Sequence, residues 1–358
     1  VTRFLLPAVC LAAALALSAC TGDPAAPSLE PVEATPLDPT PAGADAGLLT
    51  VGAAGRLVAA ATVRDVAALT VVGDSTPAVV SGSPGAGLVA DTGFAALDGQ
   101  LVVGRWAPRT GGYLLTVLDA SGAIVAENPV APWPAGAVSD VDSAVTPGGQ
   151  LLLAVAREGG DPELLLVDPL TGTVAASTGL GPGAEVEGVA VSPDGRSVVV
   201  AVGSRDIGTG RAVSWLVPLT AGLEPRGGAV AVTPAEEWAE VEALAVDDAG
   251  TAWAVAATRD EATLVTAAPG AIGTTAVRPL ADGATGLAVH DGVAWLVSSA
   301  AGAQLYRIDL RSGATATSEQ LCDQVAGTSG GGPAVTGGRV YVSGSCADGA
   351  RVWEFGLS

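Results

Sequence analysis

The side chains in this sequence best placed for chemistry are carboxylates. They come in close groups: Asp140 with Asp142, Glu185 with Glu187, and Glu236, Glu237, Glu240 and Glu242 together. A pair of carboxylates can cleave a glycosidic bond, one as acid and the other as base or nucleophile, and carboxylate clusters also ligate Ca²⁺. The Asp-x-Asp-x-Asp-Gly loop of a dedicated calcium site is missing from the sequence. Arginines recur among these groups at Arg105, Arg157, Arg205 and Arg259. Pairing of Glu187 with Arg205 and of Glu242 with Arg259 is expected, an arrangement common at surfaces and worth little.

Other chemistries have fewer candidates. His290 is the single histidine, and it stands in His290-Asp291-Gly292, a turn sequence. A catalytic base would need an orienting acid and a nucleophile, whereas Asp291 is explained more simply as a turn residue. One histidine and four cysteines, two of them in the leader described below, do not assemble a His-Cys zinc site. A nucleophile elbow, a phosphate loop and a dinucleotide fingerprint all need a strand-to-helix context, which the sequence does not offer. No catalytic residue, cofactor or metal site is therefore assigned.

Composition limits the partners. The 358 residues carry 37 acids against 16 bases, every base an arginine, for a net charge of −21. Such a surface repels phosphate backbones and anionic headgroups, so nucleic acid is excluded as a partner and membrane contact needs a covalent anchor. Hydrophobic residues make up 49% but aromatics only 4%, and there are 49 Gly and 24 Pro. Valine-rich apolar mass with that many turn formers predicts many short strands rather than helices.

The elements that position the acids follow from an internal repeat. Seven segments share one plan of apolar strand, tight turn and second apolar strand. Their turns are Gly52–Gly55, Leu97–Gly99, Thr146–Gly149, Ser192–Gly195, Asp247–Gly250, His290–Gly292 and Thr336–Gly338. A second phrase follows in several units, as in LLTVLDASGAIVAE, LLLVDPLTGTVAAS and LYRIDLRSGATATS. Four strands per unit at a period of about 45 residues predicts a seven-bladed β-propeller of four-stranded antiparallel sheets over 48–358. VAVSPDGRSVVVAV (189–202) with LLLVDPLTGTV resembles bacterial YVTN-type and WD-repeat-like propellers, although the literal YVTN and Trp-Asp signatures are absent. The resemblance implies the fold and no particular activity.

Within that fold the innermost strands read GVAV, ALAV, GLAV and GPAV, whose small residues suit converging strands, while Trp253 and Trp295 fill space between blades. The last unit ends after its third strand. The missing outer strand would come from the N-terminal segment, or Leu48–Val51 would latch the ring with an irregular first unit. The sequence leaves both open.

The N-terminus carries an export pattern. Arg3 precedes an apolar run from Phe4 to Leu17, too short for a comfortable membrane span and suited to a signal peptide. Leu17-Ser18-Ala19-Cys20 then resembles the bacterial lipobox, so residues 1–20 form a lipoprotein signal peptide with its lipobox, which implies cleavage before Cys20 and a diacylglyceryl group on Cys20 as the mature N-terminus. Residues 21–47 are rich in Pro, Ala and acids and are expected to be a disordered tether. Val1 reads as an alternative start, which would make this the whole precursor. Cys10 and Cys20 belong to the leader, leaving Cys322 and Cys346, which the repeat places in loops on one face of the last blade. In an exported protein a disulfide between them is expected.

The repeat puts Asp142, Glu187 and Glu242 where chains enter new blades and Arg105, Arg157, Arg205 and Arg259 near the ends of second strands, all on one face. Trp106, Trp133 and Trp238 fall in or beside the same loops. Aromatics with Arg and acids suit an interaction surface, while packing of each Trp on the adjacent core is the competing reading. The expectation is a monomeric, non-enzymatic binding or scaffold module, anchored outside the cytoplasmic membrane, that recognises a protein, peptide or envelope polymer. The alternative is a hydrolase or lactonase with an acidic or metal-assisted site at the channel mouth.

Overall fold

The structure is a computed structural model that describes residues 28–36, 45–63, 66–72, 78–81, 89–107, 111–181, 185–206, 211–232, 240–258, 261–280, 284–298, 304–318, 320–321, 332–346 and 349–357. These form seven antiparallel sheets of four strands, one of them extended by a fifth. Blade 1 spans 45–81, blade 2 89–129, blade 3 138–179, blade 4 185–232, blade 5 240–280, blade 6 286–318 and blade 7 334–356. The inner strands of successive blades touch all the way round, and that of blade 7 returns to that of blade 1. The expected seven-bladed β-propeller is the observed fold. Among the described residues the only helical element is one 3₁₀ turn, Ala53–Gly55.

The repeated phrases account for the blades. Each Gly-containing turn read from the sequence joins the inner strand of a blade to its second strand. In the later phrase an aspartate organises the turn: Asp119 Oδ1 accepts bonds from the N–H of Ser121 (2.9 Å) and Ala123 (3.0 Å) and from the Ser121 hydroxyl (2.6 Å). Asp309 repeats this with Arg311 and Ser312. These bonds favour the charged form, with the Ser121 hydroxyl foremost for Asp119 and the Ser312 N–H foremost for Asp309, and hold both acids below the ordinary value of 3.8.

The core is divided among the interfaces. Seven apolar clusters each lie between two neighbouring blades, from Val58, Leu69, Leu101 and Val103 between blades 1 and 2 to Ala59, Ala350 and Val352 between blades 7 and 1. Trp295 is wholly buried between blades 6 and 7, and Trp253 packs between blades 5 and 6, as expected of second-strand tryptophans. Small residues where the inner strands end permit close approach: a Cβ on Gly52, just after the inner strand of blade 1, would stand 2.5 Å from the carbonyl oxygen of Ala95 in the next blade.

The N-terminal reading needs correction. Two stretches of the expected tether are strands. Glu33–Pro36 is the outer strand of blade 7, antiparallel to Gly349–Gly356, with Glu33 opposite Glu354 and Pro36 opposite Arg351. Ser28–Leu29 adds a parallel fifth strand to blade 6, beside Thr317 and Ser318. Blade 1 also starts earlier than residue 48, at Asp45, with Leu48–Val51 inside its inner strand rather than acting as the latch. The ring is thus closed by the N-terminal segment. Proline is tolerated there because an outermost strand leaves one side of its backbone unpaired.

Candidate functional site

At one end of the channel, the starts of three neighbouring inner strands bring carboxylates together. Ser139 and Asp140 of blade 3, Glu185 and Glu187 of blade 4, and Glu240 and Glu242 of blade 5 line one cavity of about 490 Å³. They meet because equivalent points of a repeated unit are adjacent in a ring, although they lie some 45–55 residues apart in sequence. Burial pushes Asp140 above its ordinary value of 3.8, opposed by the Val141 N–H that bonds its Oδ1 (2.9 Å) and reinforced by the charge of Glu185.

Three carboxylates have a second task. Asp142, Glu187 and Glu242 each directly follow a buried valine, Val141, Val186 and Val241. Each accepts a backbone N–H from the next blade: Asp142 from Val189 (2.7 Å), Glu187 from Val241 (3.1 Å) and Glu242 from Ala284 (3.1 Å). Glu187 also accepts from the wholly buried hydroxyl of Ser214 (2.9 Å). Glu187 and Glu242 occupy β-bulges, which turn an extra side chain out of the strand alternation. These acids staple blades 3 to 4, 4 to 5 and 5 to 6. Sequence reasoning grouped them with the other acids and missed Ser214, which carries no signal of its own.

The remaining expected site residues scatter. Arg105 is 3% exposed, its strand neighbours Leu101 and Val103 packing between blades 1 and 2, so it is not on an open face. Arg157 is half-buried and donates from Nε and Nη2 to the carbonyl of Asp161 in its own turn. Trp106 and Trp133 pack against the cluster between blades 2 and 3, and Trp133 stacks on Tyr113 with centroids 6.0 Å apart. Both indole N–H groups are buried without a hydrogen-bond partner. Trp238, Arg259, Cys20 and Cys322 lie outside the described residues, as do the side chains of Arg205 and Cys346; so the expected Glu187–Arg205, Glu242–Arg259 and Cys322–Cys346 pairings do too. Cys346 is the last residue of the second strand of blade 7, one position before the loop in which the repeat put it.

Below the acidic mouth the channel holds a second cavity of about 540 Å³. It is lined mainly by small and apolar inner-strand residues, among them Ala144, Ala190, Leu244 and Ala245, with Ser143, Ser192 and His290. His290 Nε2 lies 3.4 Å from Asp291 Oδ2 across the hairpin turn. Asp291 has φ 50° and Gly292 φ 75°, the pair of positive angles a two-residue hairpin requires. Among the described residues no three His, Cys, Asp or Glu side chains stand close enough together to hold a metal ion.

No family model matches the chain, and no curated protein matches its sequence. Solved structures do. A catalytically inactive virginiamycin B lyase from Staphylococcus aureus, solved with quinupristin, superposes with a TM-score of 0.60 at 11% identity, over 91% of this chain and 99% of that one. An oligogalacturonate lyase in complex with manganese gives 0.58 at 14% identity, over 91% and 93%. The β-propeller domain of Cps50 (Swd1) from Myceliophteria thermophila gives 0.56 at 11% identity, over 92% and 100%. At such identity the likeness extends to the fold alone.

Proposed function

We infer that this chain is an exported recognition module, anchored through a lipid on Cys20, whose acidic channel mouth receives a cationic group of a protein, peptide or envelope polymer. The observation that carries this reading is the set of carboxylates from three blades around one cavity of about 490 Å³. Gathering acids in a concave, partly desolvated mouth costs free energy, as the upward shift of Asp140 reflects, and a bound cation offsets that cost. The division of labour among the acids supports it further. Asp142, Glu187 and Glu242 are committed to inter-blade bonds, while Glu185 is not engaged in one and stands available to a ligand.

The export reading rests on the Leu17-Ser18-Ala19-Cys20 resemblance, and a disulfide between Cys322 and Cys346 is part of the same proposal. Kinship to YVTN-type and WD-repeat-like propellers belongs to the same proposal. A hydrolase or lactonase would draw on these same acids.

The test is calorimetric titration of the full-length mature protein, in detergent, with an oligolysine peptide. Binding should weaken at least about tenfold in the Glu185→Gln/Glu240→Gln double variant, the loss of roughly 1.4 kcal/mol. A control variant of equal charge change, Glu158→Gln/Asp248→Asn at exposed sites, should bind as the native protein does. Equal weakening in both variants would mean that only the overall charge of −21 attracts the peptide, and would sink the assignment of the mouth.

A further inference from the structure

The segment that closes the ring is also the one nearest the proposed anchor, and this has a geometric consequence for how the domain stands on a membrane. Strand pairing starts at Ser28, pinned beside Thr317 on the outer edge of blade 6. Leu29 packs against the apolar cluster between blades 6 and 7, which includes Trp295, Trp353 and Phe355. The N–H of Val32 then donates to the carbonyl of Glu354 (2.7 Å), and Glu33–Pro36 completes blade 7. Eight residue steps separate Ser28 from Cys20, a reach of at most about 28 Å when fully extended. A tether running from residue 21 to 47 would instead have allowed several nanometres and any orientation.

Charge points the same way. Residues 28–36 and 286–358, which make up blades 6 and 7, carry eight acids against four arginines. Residues 138–280, covering blades 3 to 5, carry nineteen acids against seven arginines. An anionic bilayer repels the second sector much more strongly than the first within the roughly 8 Å over which salt leaves charges unscreened.

We propose that the N-terminal clasp fixes the rim of blades 6 and 7 as the sector of the propeller facing the lipid surface and holds blade 3, opposite in the ring, farthest from it. This rests on the anchoring of Cys20 proposed above. The occupant of the blade 6–7 side is the bilayer itself. The clasp is therefore both the ring's closure and its mount, and the channel with its acidic mouth opens alongside the membrane rather than onto it.

Energy transfer tests it on the full-length lipidated protein in vesicles of phosphatidylglycerol and phosphatidylethanolamine that carry an acceptor lipid. A donor is attached through a genetically encoded reactive residue at Val32, exposed beside the clasp, or at Ser177, exposed on the outer strand of blade 3. Transfer should be several-fold stronger from position 32 than from position 177. Inserting about twenty Gly/Ser residues after Asp23 should erase the difference, since a flexible linker of that length removes the constraint. Equal transfer from both positions in the uninserted protein overturns the orientation while leaving the anchor intact. A difference that survives the insertion also overturns it, because the clasp would not be its cause. Cys20→Ser separates the underlying reading: its release into the soluble fraction supports the anchor, and retention on the vesicles defeats anchor and orientation together.

Discussion

Glu187, in the inner strand of blade 4, accepts a 3.1 Å hydrogen bond from the backbone N–H of Val241 in blade 5. Its other oxygen accepts a 2.9 Å hydrogen bond from the hydroxyl of Ser214, which is wholly buried two strands away in its own blade. One carboxylate thus ties the inner edge of its blade to the third strand and to the neighbouring blade. Asp142 and Glu242 repeat the inter-blade half of this on either side.

Glu187→Ala should therefore destabilise the protein by about 2–4 kcal/mol, since it leaves a buried hydroxyl and a backbone N–H without their acceptor. Glu187→Gln keeps one acceptor oxygen and should cost about half as much. Urea midpoints at constant slope measure both. A Glu187→Ala protein as stable as the parent would show that water replaces the carboxylate at no cost.

Asp140 should behave in the opposite sense to the turn aspartates. Burial raises its folded value above 3.8, so between 3.8 and that raised value the folded state binds more protons than the unfolded one. Stability attributable to Asp140 falls as pH rises through that window and stays lost above it. Asp140→Asn should accordingly melt no lower than the parent at neutral pH, and should flatten the part of the pH–stability curve just above pH 3.8. For Asp119 and Asp309 the folded values are lowered, so their stabilisation is complete above 3.8 and disappears as pH falls through the lowered values. Melting curves from pH 3 upward separate the two classes, and a lower neutral-pH melting point for Asp140→Asn would contradict the burial argument.

The fold was legible because a repeat states its own architecture. Turns such as Ser192-Pro193-Asp194-Gly195, with Gly195 at φ 72°, each recur at the same point of a four-stranded unit. The acids at the channel mouth were legible as a face for the same reason. What the repeat could not show was orientation within the strand. Bulges at Glu187 and Glu242 redirect those side chains, and a bulge leaves no mark in an apolar-polar alternation. Arg105 and Trp106 are adjacent in one second strand and were read together as surface, yet they pack on opposite sides of their sheet, toward blade 1 and blade 3. The closing strand was left open between two alternatives because a Pro- and acid-rich segment lacks the apolar content of a strand. Its pairing comes from the open edge of Gly349–Gly356, which no local property of residues 33–36 announces.

Trp133 separates packing from recognition. It stacks on Tyr113, which is 2% exposed, and covers the cluster between blades 2 and 3. Trp133→Ala should cost about 2–3 kcal/mol, below the range for a fully buried tryptophan because the ring is only partly enclosed. Trp133→Phe removes the indole N–H that is buried without a partner, and it should be neutral within about 0.5 kcal/mol or slightly stabilising. Neither change should alter oligolysine binding once the folded fraction is taken into account. A Trp133→Phe protein that folds as the parent does but loses binding would return this residue to the recognition surface.

The clasp should govern how the ring comes apart. The interface between blades 7 and 1 includes the buried Ala59, Ala350 and Val352, with the partly buried Leu49, Val72 and Tyr341 packed against them. Its neighbour between blades 6 and 7 is sealed by Trp295, Trp353 and Phe355, with Leu29 of the clasp against them. A chain beginning at residue 37 loses both N-terminal strands. It exposes the edge of Gly349–Gly356, whose unpaired backbone groups then invite pairing with other molecules. It should melt at a lower temperature and with a broader transition. Hydrogen exchange should accelerate first in residues 349–356 while the inner strands of blades 3 and 4 stay protected. Leu29→Ala, a milder probe, should cost about 1–2 kcal/mol and speed exchange in the same strand. Uniform acceleration across all seven blades would mean that the ring opens as one cooperative unit, and that the N-terminal strands are appended to the closure without controlling it.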